Sequence, residues 1–200
     1  MASFNVQEFR SQMTGDGARP NLFNCELPFL GNLLGTAGIK YNFMCRAAQL
    51  PGSTVNQVPV NYFGRELKFA GNRTFTEWTV TIINDEDFVI RNAFELWMSR
   101  LNSHVANLRS ANYVSPSQYQ QDGLVTQFGK ADEILKVYKF VGMFPIDVSP
   151  IELDWGANDT IEEYAVTFAY QWWESDTTDS NLSNGSPGIQ PRRSNPVGSA

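Results

Sequence analysis

The sequence predicts a mainly β protein, with two packed antiparallel sheets forming a β-barrel or sandwich and one flanking α-helix. Three observations point there. Apolar residues alternate with polar ones over several short runs, as on strands with one buried face. Pro, Gly and Asn punctuate the chain between those runs. One stretch alone, following Asn84-Asp85-Glu86-Asp87, repeats its apolar residues at helical spacing. With 200 residues, 42% of them hydrophobic and 13% aromatic, the chain is of single-domain size and can bury a sizeable core.

Taken in order, Phe23, Cys25, Leu27 and Phe29 alternate with Asn24, Glu26 and Pro28, which predicts a half-buried strand. A second strand is expected from Lys40 to Gln49, ended by Leu50-Pro51-Gly52. Ser53–Asn61 and Arg65–Ala70, separated by Tyr62-Phe63-Gly64, read as a hairpin, with Gly71-Asn72 as the next turn. Trp78, Val80 and Ile82 alternate with Glu77, Thr79 and Thr81 in the clearest strand of the first half. The helix is expected over Asp85–Leu101. Its acidic start suits exposed backbone N–H groups, and Ile90, Phe94, Trp97 and Leu101 share the face that packs on the subunit's own sheet.

Residues 102–117 read as irregular. Strands resume at Tyr119–Phe128 and Ile134–Phe144, with a short one including Asp147–Leu153. Ile134–Phe144 is apolar on both faces, which implies a central strand or one covered by a partner. The last strand places Tyr164, Val166, Phe168, Tyr170 and Trp172 on one face. From Ser175 to Ala200 the chain turns Ser-, Asn-, Asp-, Gly- and Pro-rich and lacks the apolar surface to order itself. The expected division is therefore a folded domain over 1–174 and a flexible C-terminal tail over 175–200.

The search for chemistry ends without a catalytic, cofactor or metal site. His104 is the one histidine, placed in a loop, and no H-E-x-x-H, G-x-S-x-G, P-loop or dinucleotide fingerprint occurs. Cys25 and Cys45 lie in apolar surroundings and read as buried hydrophobes. Asp85, Glu86 and Asp87 read as capping groups. The acids at Asp154, Asp159, Glu162 and Glu163, with Asn158, lack the calcium-loop order because Gly156 stands in the third position. A net charge of −6 without any basic run argues against gripping nucleic acid. No apolar run long enough to cross a membrane and no secretory leader is seen.

Three stretches carry a resemblance: Gly15-Asp16-Gly17-Ala18-Arg19-Pro20-Asn21-Leu22-Phe23; Leu50-Pro51-Gly52 through Gly71-Asn72-Arg73-Thr74-Phe75-Thr76-Glu77-Trp78-Thr79-Val80-Thr81-Ile82-Ile83-Asn84-Asp85-Glu86; and Leu153-Asp154-Trp155 through Trp173-Glu174. In this order and spacing, over about residues 10–174, the chain resembles the major tail tube proteins of T-even-like contractile phages. The middle block is the most specific. The resemblance implies homohexameric rings joined sheet to sheet and stacked into a hollow tube. Such a tube lies inside a tail sheath, meets baseplate and tail terminator proteins, and passes genomic DNA without binding it specifically. The location implied is the virion tail, assembled in the host bacterial cytoplasm. A type VI secretion-type or baseplate tube subunit is the alternative of the same architecture. A β-sandwich carbohydrate-binding module using Tyr62, Phe63 and Tyr113 is the alternative of another class. The long hairpin with its apolar tip further predicts an inter-ring contact at Pro51, Val55, Val58, Tyr62 and Phe63.

Overall fold

A computed structural model describes residues 5–13 and 17–176. The strands are β1 (Phe23–Glu26), β2 (Cys45–Ala48), β3 (Ser53–Tyr62), β4 (Arg65–Phe75), β5 (Trp78–Ile83), β6 (Gln121–Phe128), β7 (Ile134–Val148), β8 (Glu163–Ala169) and β9 (Trp172–Ser175). The helices are α1 (Val6–Gln12), α2 (Pro28–Leu33), α3 (Ala37–Met44), α4 (Val89–Leu101) and α5 (Pro116–Tyr119), with a 3₁₀ turn at Ala111–Tyr113. Seven strands join in the order β1-β6-β7-β8-β5-β2, with β9 also on β7, while β3 and β4 pair only with each other. Every pairing is antiparallel.

Strand β7 makes a sandwich out of one sheet. Its first half pairs with β6 and β9, its second half with β8. Between the two halves Gly142 adopts φ +65, and a Cβ there would stand 2.9 Å from Gln171 Cγ. Only glycine tolerates both the left-handed conformation and the close approach. The sheet folds over at this point, so that Trp78 of β5 stacks on Phe140 of β7 at 4.4 Å and meets Phe168 at 5.6 Å. The end strands β1 and β2 are not bonded to one another among the described residues, so the architecture is a sandwich and not a closed barrel.

Helix α4 covers this core. Ile90, Ala93, Phe94 and Trp97 are buried and Leu101 is half-buried against them. Phe94 meets Phe168 at 5.7 Å and Tyr41 at 6.1 Å, while Trp97 packs on Phe29 at 4.8 Å. The Trp97 indole N–H donates to the Tyr119 carbonyl at 3.3 Å.

Several elements differ from the sequence reading. The first strand stops at Glu26, because Pro28, with no N–H to lose, opens α2 near its first position. Lys40–Met44 is helical and belongs to α3, leaving only Cys45–Ala48 as strand. Ala37, Tyr41 and Cys45, four apart, point into the core, while Ile39 and Phe43 stay exposed at 70% and 80%. Apolar residues on both sides hid that periodicity. The expected single helix is thus joined by α1, α2, α3 and the short α5, which takes Tyr119.

Gly71-Asn72 is no turn, since β4 continues to Phe75 through a bulge opposite Asn56. A Cβ on Gly71 would come within 2.9 Å of the Asn56 carbonyl oxygen, which explains the glycine. The long helix begins at Val89, not Asp85. Asp87 still accepts from the Val89 N–H at 3.1 Å, but Asp85 and Asp87 together hold Lys40 of α3. Asp147 and Val148 end β7, and Glu152 and Leu153 lie in the following loop. The last strand breaks at Tyr170-Gln171, which turns Trp172 outward. Ser175, read as the start of the tail, is still in β9 at 5% exposure, and Asp176 Oδ1 meets Lys136 Nζ at 2.7 Å. Residues 177–200, the rest of the expected tail, lie outside the described residues.

Candidate assembly interface

The hairpin of β3 and β4 is the feature that the subunit's own core does not use. Its ten-residue first strand spans about 33 Å. Every residue of β3 is exposed, and β4 is exposed at all but Gly71 and Phe75. Among the described residues it is fastened at its root. Trp78 Nε1 donates to the Gln49 carbonyl at 2.7 Å, Trp173 Nε1 to the Gly52 carbonyl at 3.1 Å, and Phe75 rests on Tyr170 at 6.1 Å.

The register sorts its two faces. Val58 opposes Phe69, Val60 opposes Leu67 and Tyr62 opposes Arg65, so Val58, Val60, Tyr62, Leu67 and Phe69 line one face. The other face carries Gln57 opposite Ala70, Pro59 opposite Lys68, and Asn61 opposite Glu66. At the tip Phe63 and Gly64 both have positive φ, +45 and +80, as a tight two-residue hairpin turn requires. Asn-Gly would fill that turn at least cost, and a bulky residue with positive φ is strained. Here the position holds a phenylalanine, 91% exposed, its ring 4.6 Å from that of Tyr62. Residues 53–75 contain Arg65, Lys68 and Arg73 against Glu66, a local +2 in a chain of net −6.

Of the residues expected at a contact, Val58, Tyr62 and Phe63 share the apolar face and tip. Val55 lies on the opposite face beside Arg73, and half-buried Pro51 lies at the root before β3. Val60, Leu67 and Phe69, which lie within the hairpin but were not singled out as contact residues, share the apolar face. Their alternation on the two arms of the hairpin was the signal that could have found them. Tyr113, by contrast, is 7% exposed and packs on Phe29 at 6.5 Å, so Tyr62, Phe63 and Tyr113 do not form one sugar-binding platform.

Several of the groups weighed for chemistry have structural partners. Cys25 and Cys45 are free and buried, and a hydrogen bond that the Cys25 thiol donates to Cys45, together with burial, pushes the Cys25 thiol up. Asp154 Oδ1 accepts from the Gly156 N–H at 2.9 Å, Glu162 Oε2 from Asn84 Nδ2 at 2.8 Å, and Glu163 pairs with Arg46. Among the described residues no three His, Cys, Asp or Glu side chains converge so as to hold a metal ion. No described helix is long and apolar enough to cross a membrane.

Comparison with known proteins shows the family. The profile of the phage tail tube protein family matches residues 18–176. The tail tube protein gp19 of Enterobacteria phage T4 is 34% identical over 166 residues, which span 82% of this chain and 96% of that protein. Two solved structures share the fold at 13% identity. The tube-terminating cap of the anti-feeding prophage superposes with TM-score 0.58 over 83% of this chain and 95% of its own. The sheath–tube complex of an extracellular contractile injection system superposes with TM-score 0.52 over 86% and 98%. The matched length, the identity to a phage tube subunit and the shared sandwich together establish that this chain belongs to the phage tail tube protein family.

Proposed function

We propose that the chain is the repeating subunit of the inner tube of a contractile phage tail, closing into homohexameric rings that stack into a hollow conduit for genomic DNA. The observation that carries this is the β3–β4 hairpin. A two-stranded hairpin is marginally stable alone in water, yet this one extends about 33 Å with an uncovered apolar face. Exposed apolar surface of that kind marks a protein–protein contact, and stacking a second ring on the first covers it. The short end strands β1 and β2 offer backbone groups that neighbouring subunits in a ring can pair.

Val58, Tyr62 and Phe63 belong to this proposed inter-ring contact, with Val60, Leu67 and Phe69 added, while Pro51 and Val55 serve the root and the polar face. A tail sheath around the tube and a terminator at its end follow from the contractile relatives, and baseplate proteins at its other end from the same reading. The setting is the virion tail, assembled in the host cytoplasm. The subunit works by assembling and not by catalysis. The conduit is not adhesive, because an acidic chain without a basic run leaves phosphates little to hold.

The test is electron microscopy and sedimentation of full-length protein beside a variant lacking Tyr62 and Phe63. Wild-type protein is expected to form tubes, and the variant rings or dispersed subunits with unchanged circular dichroism. Tubes of unchanged yield from the variant would overturn the role of the hairpin. Monodisperse wild-type monomers at every concentration would overturn the tube reading itself.

A further inference from the structure

We infer that the trough formed by residues 149–163 is the socket that receives the β3–β4 hairpin of a second copy of this chain in the next ring. This rests on the tube reading above. The first support is placement. The hairpin is rooted at the Trp78 end of β5, where Trp78 reaches the Gln49 carbonyl. The loop is rooted at the other end, where Ile83 pairs with Glu163 and the Asn84 N–H donates to the Glu162 carbonyl at 2.8 Å. Donor and acceptor thus leave opposite ends of the same strand. A contact between unlike ends of identical subunits cannot pair off two copies symmetrically, and where its rotation does not close on itself it propagates as an open stack.

The second support is the surface itself. The loop exposes Leu153 at 81%, Ile161 at 71% and Trp155 completely, a second apolar patch that the subunit leaves uncovered. A cleft of about 580 Å³ runs along it, lined by Pro150, Ile151, Leu153, Trp155 and Ile161 among others. Clefts of roughly 300–1,000 Å³ accommodate ligands the size of a pair of aromatic side chains. The rings of Tyr62 and Phe63, packed together at the hairpin tip, have that size and chemistry.

The third support is charge. Residues 149–163 contain Glu152, Asp154, Asp159, Glu162 and Glu163 and no Lys or Arg. Glu162 and Glu163 are committed to Asn84 and Arg46, and Asp154 caps its own turn. Glu152 and Asp159 are exposed and meet no cation among the described residues. They are exposed on the same loop as Trp155, and the hairpin offers Arg65 on its apolar face and, on the other, Arg73 and Lys68, the latter 3.9 Å from Glu66. Complementary charges of this kind set register and exclude wrong partners, while the apolar tip supplies the buried centre.

The experiment reverses each side separately. Full-length Glu152→Lys/Asp159→Lys and Lys68→Glu/Arg73→Glu are expected to form rings but to lose at least about tenfold in tubes recovered by sedimentation, since like charges would face each other. The chain carrying all four changes is expected to recover tubes. Mixing the two reversed proteins is expected to recover stacks in which their rings alternate, because each junction then joins a native hairpin to a native socket or a reversed hairpin to a reversed socket. A zero-length carbodiimide cross-linker on mixed ¹⁵N and ¹⁴N wild-type tubes is expected to join Lys68 to Glu152 or Asp159 between copies. If the socket variant stacks like wild type while the Lys68→Glu/Arg73→Glu variant and loss of Tyr62 and Phe63 both abolish stacking, the socket is elsewhere and the hairpin contact stands. If both reversals and the loss of Tyr62 and Phe63 all leave tubes intact, the hairpin contact falls too. Failure of the four-change chain to recover, with Lys68 cross-linked to other acids, also overturns the pairing.

Discussion

Trp97 shows how one residue ties a helix to a sandwich. Its side chain is fully buried, its ring meets Phe29, and its indole N–H is satisfied by a carbonyl from α5. Trp97→Ala is expected to cost about 3–5 kcal/mol by emptying an aromatic site in the core. Typical domains hold only about 5–15 kcal/mol in total, so a urea midpoint should fall steeply and soluble yield with it. An unchanged midpoint would show that the site refills. Tyr164 gives the opposite case. Its hydroxyl is buried without a hydrogen-bond partner among the described residues, and that burial pushes the phenol's pKa up. Its ring still packs under the Arg91 guanidinium, 5.1 Å from the centroid. Tyr164→Phe keeps the ring and removes the orphan oxygen, so it is expected to leave thermal stability unchanged or raise it by up to about 1 kcal/mol. A clear fall in melting temperature would mean that the hydroxyl has a partner in solution. The side chains of α4 were legible from spacing alone. The buried place of Tyr41 was not, because apolar residues on both sides of its helix concealed the helical spacing.

At the scale of elements, the acids before α4 have a second use. Lys40 of α3 lies 2.6 Å from Asp85 and also pairs with Asp87, so the two helices are joined across the turn. The Lys40 hydrogen bond holds both carboxyls below their ordinary 3.8, and the two carboxyls raise Lys40 above its ordinary 10.5. Depressed acids contribute stability that is present above pH 3.8 and lost as pH falls through their folded values. The raised lysine contributes stability that is full below pH 10.5 and lost as pH rises through its folded value. Lys40→Met is therefore expected to lower the melting temperature between those limits and to flatten the acid limb of its pH profile. An acid limb identical to wild type would show the pairs to be inert. The sequence marks this acidic turn plainly, but as a cap only. Its partner sits 45 residues earlier, in a segment whose apolar residues on both sides concealed a helix.

For the whole molecule the net charge of −6 and the lack of any basic run set the expected behaviour toward DNA. Assembled tubes are expected to retain no duplex on filters at about 0.15 M salt, where exposed charges are screened beyond roughly 8 Å. Tight retention that weakens steeply with salt would show a cationic wall and refute the non-adhesive conduit. The sequence by itself determined the β class, the strand at Trp78–Ile83, the hairpin and its apolar tip, and the inner face of α4. Each of these is written in a local period of two or of 3.6, with a polar face to contrast against the apolar one. Only the tertiary structure decided that residues 37–44 coil, that the last strand breaks before Trp172, and that one sheet folds over at Gly142 into an open sandwich. In residues 37–44 apolar residues occupy both faces, at Gly142 a single glycine changes direction, and the last strand keeps its period of two across its break. Period then carries no information, and the choice falls to which distant side chains, such as Phe140 against Trp78, fill the same space.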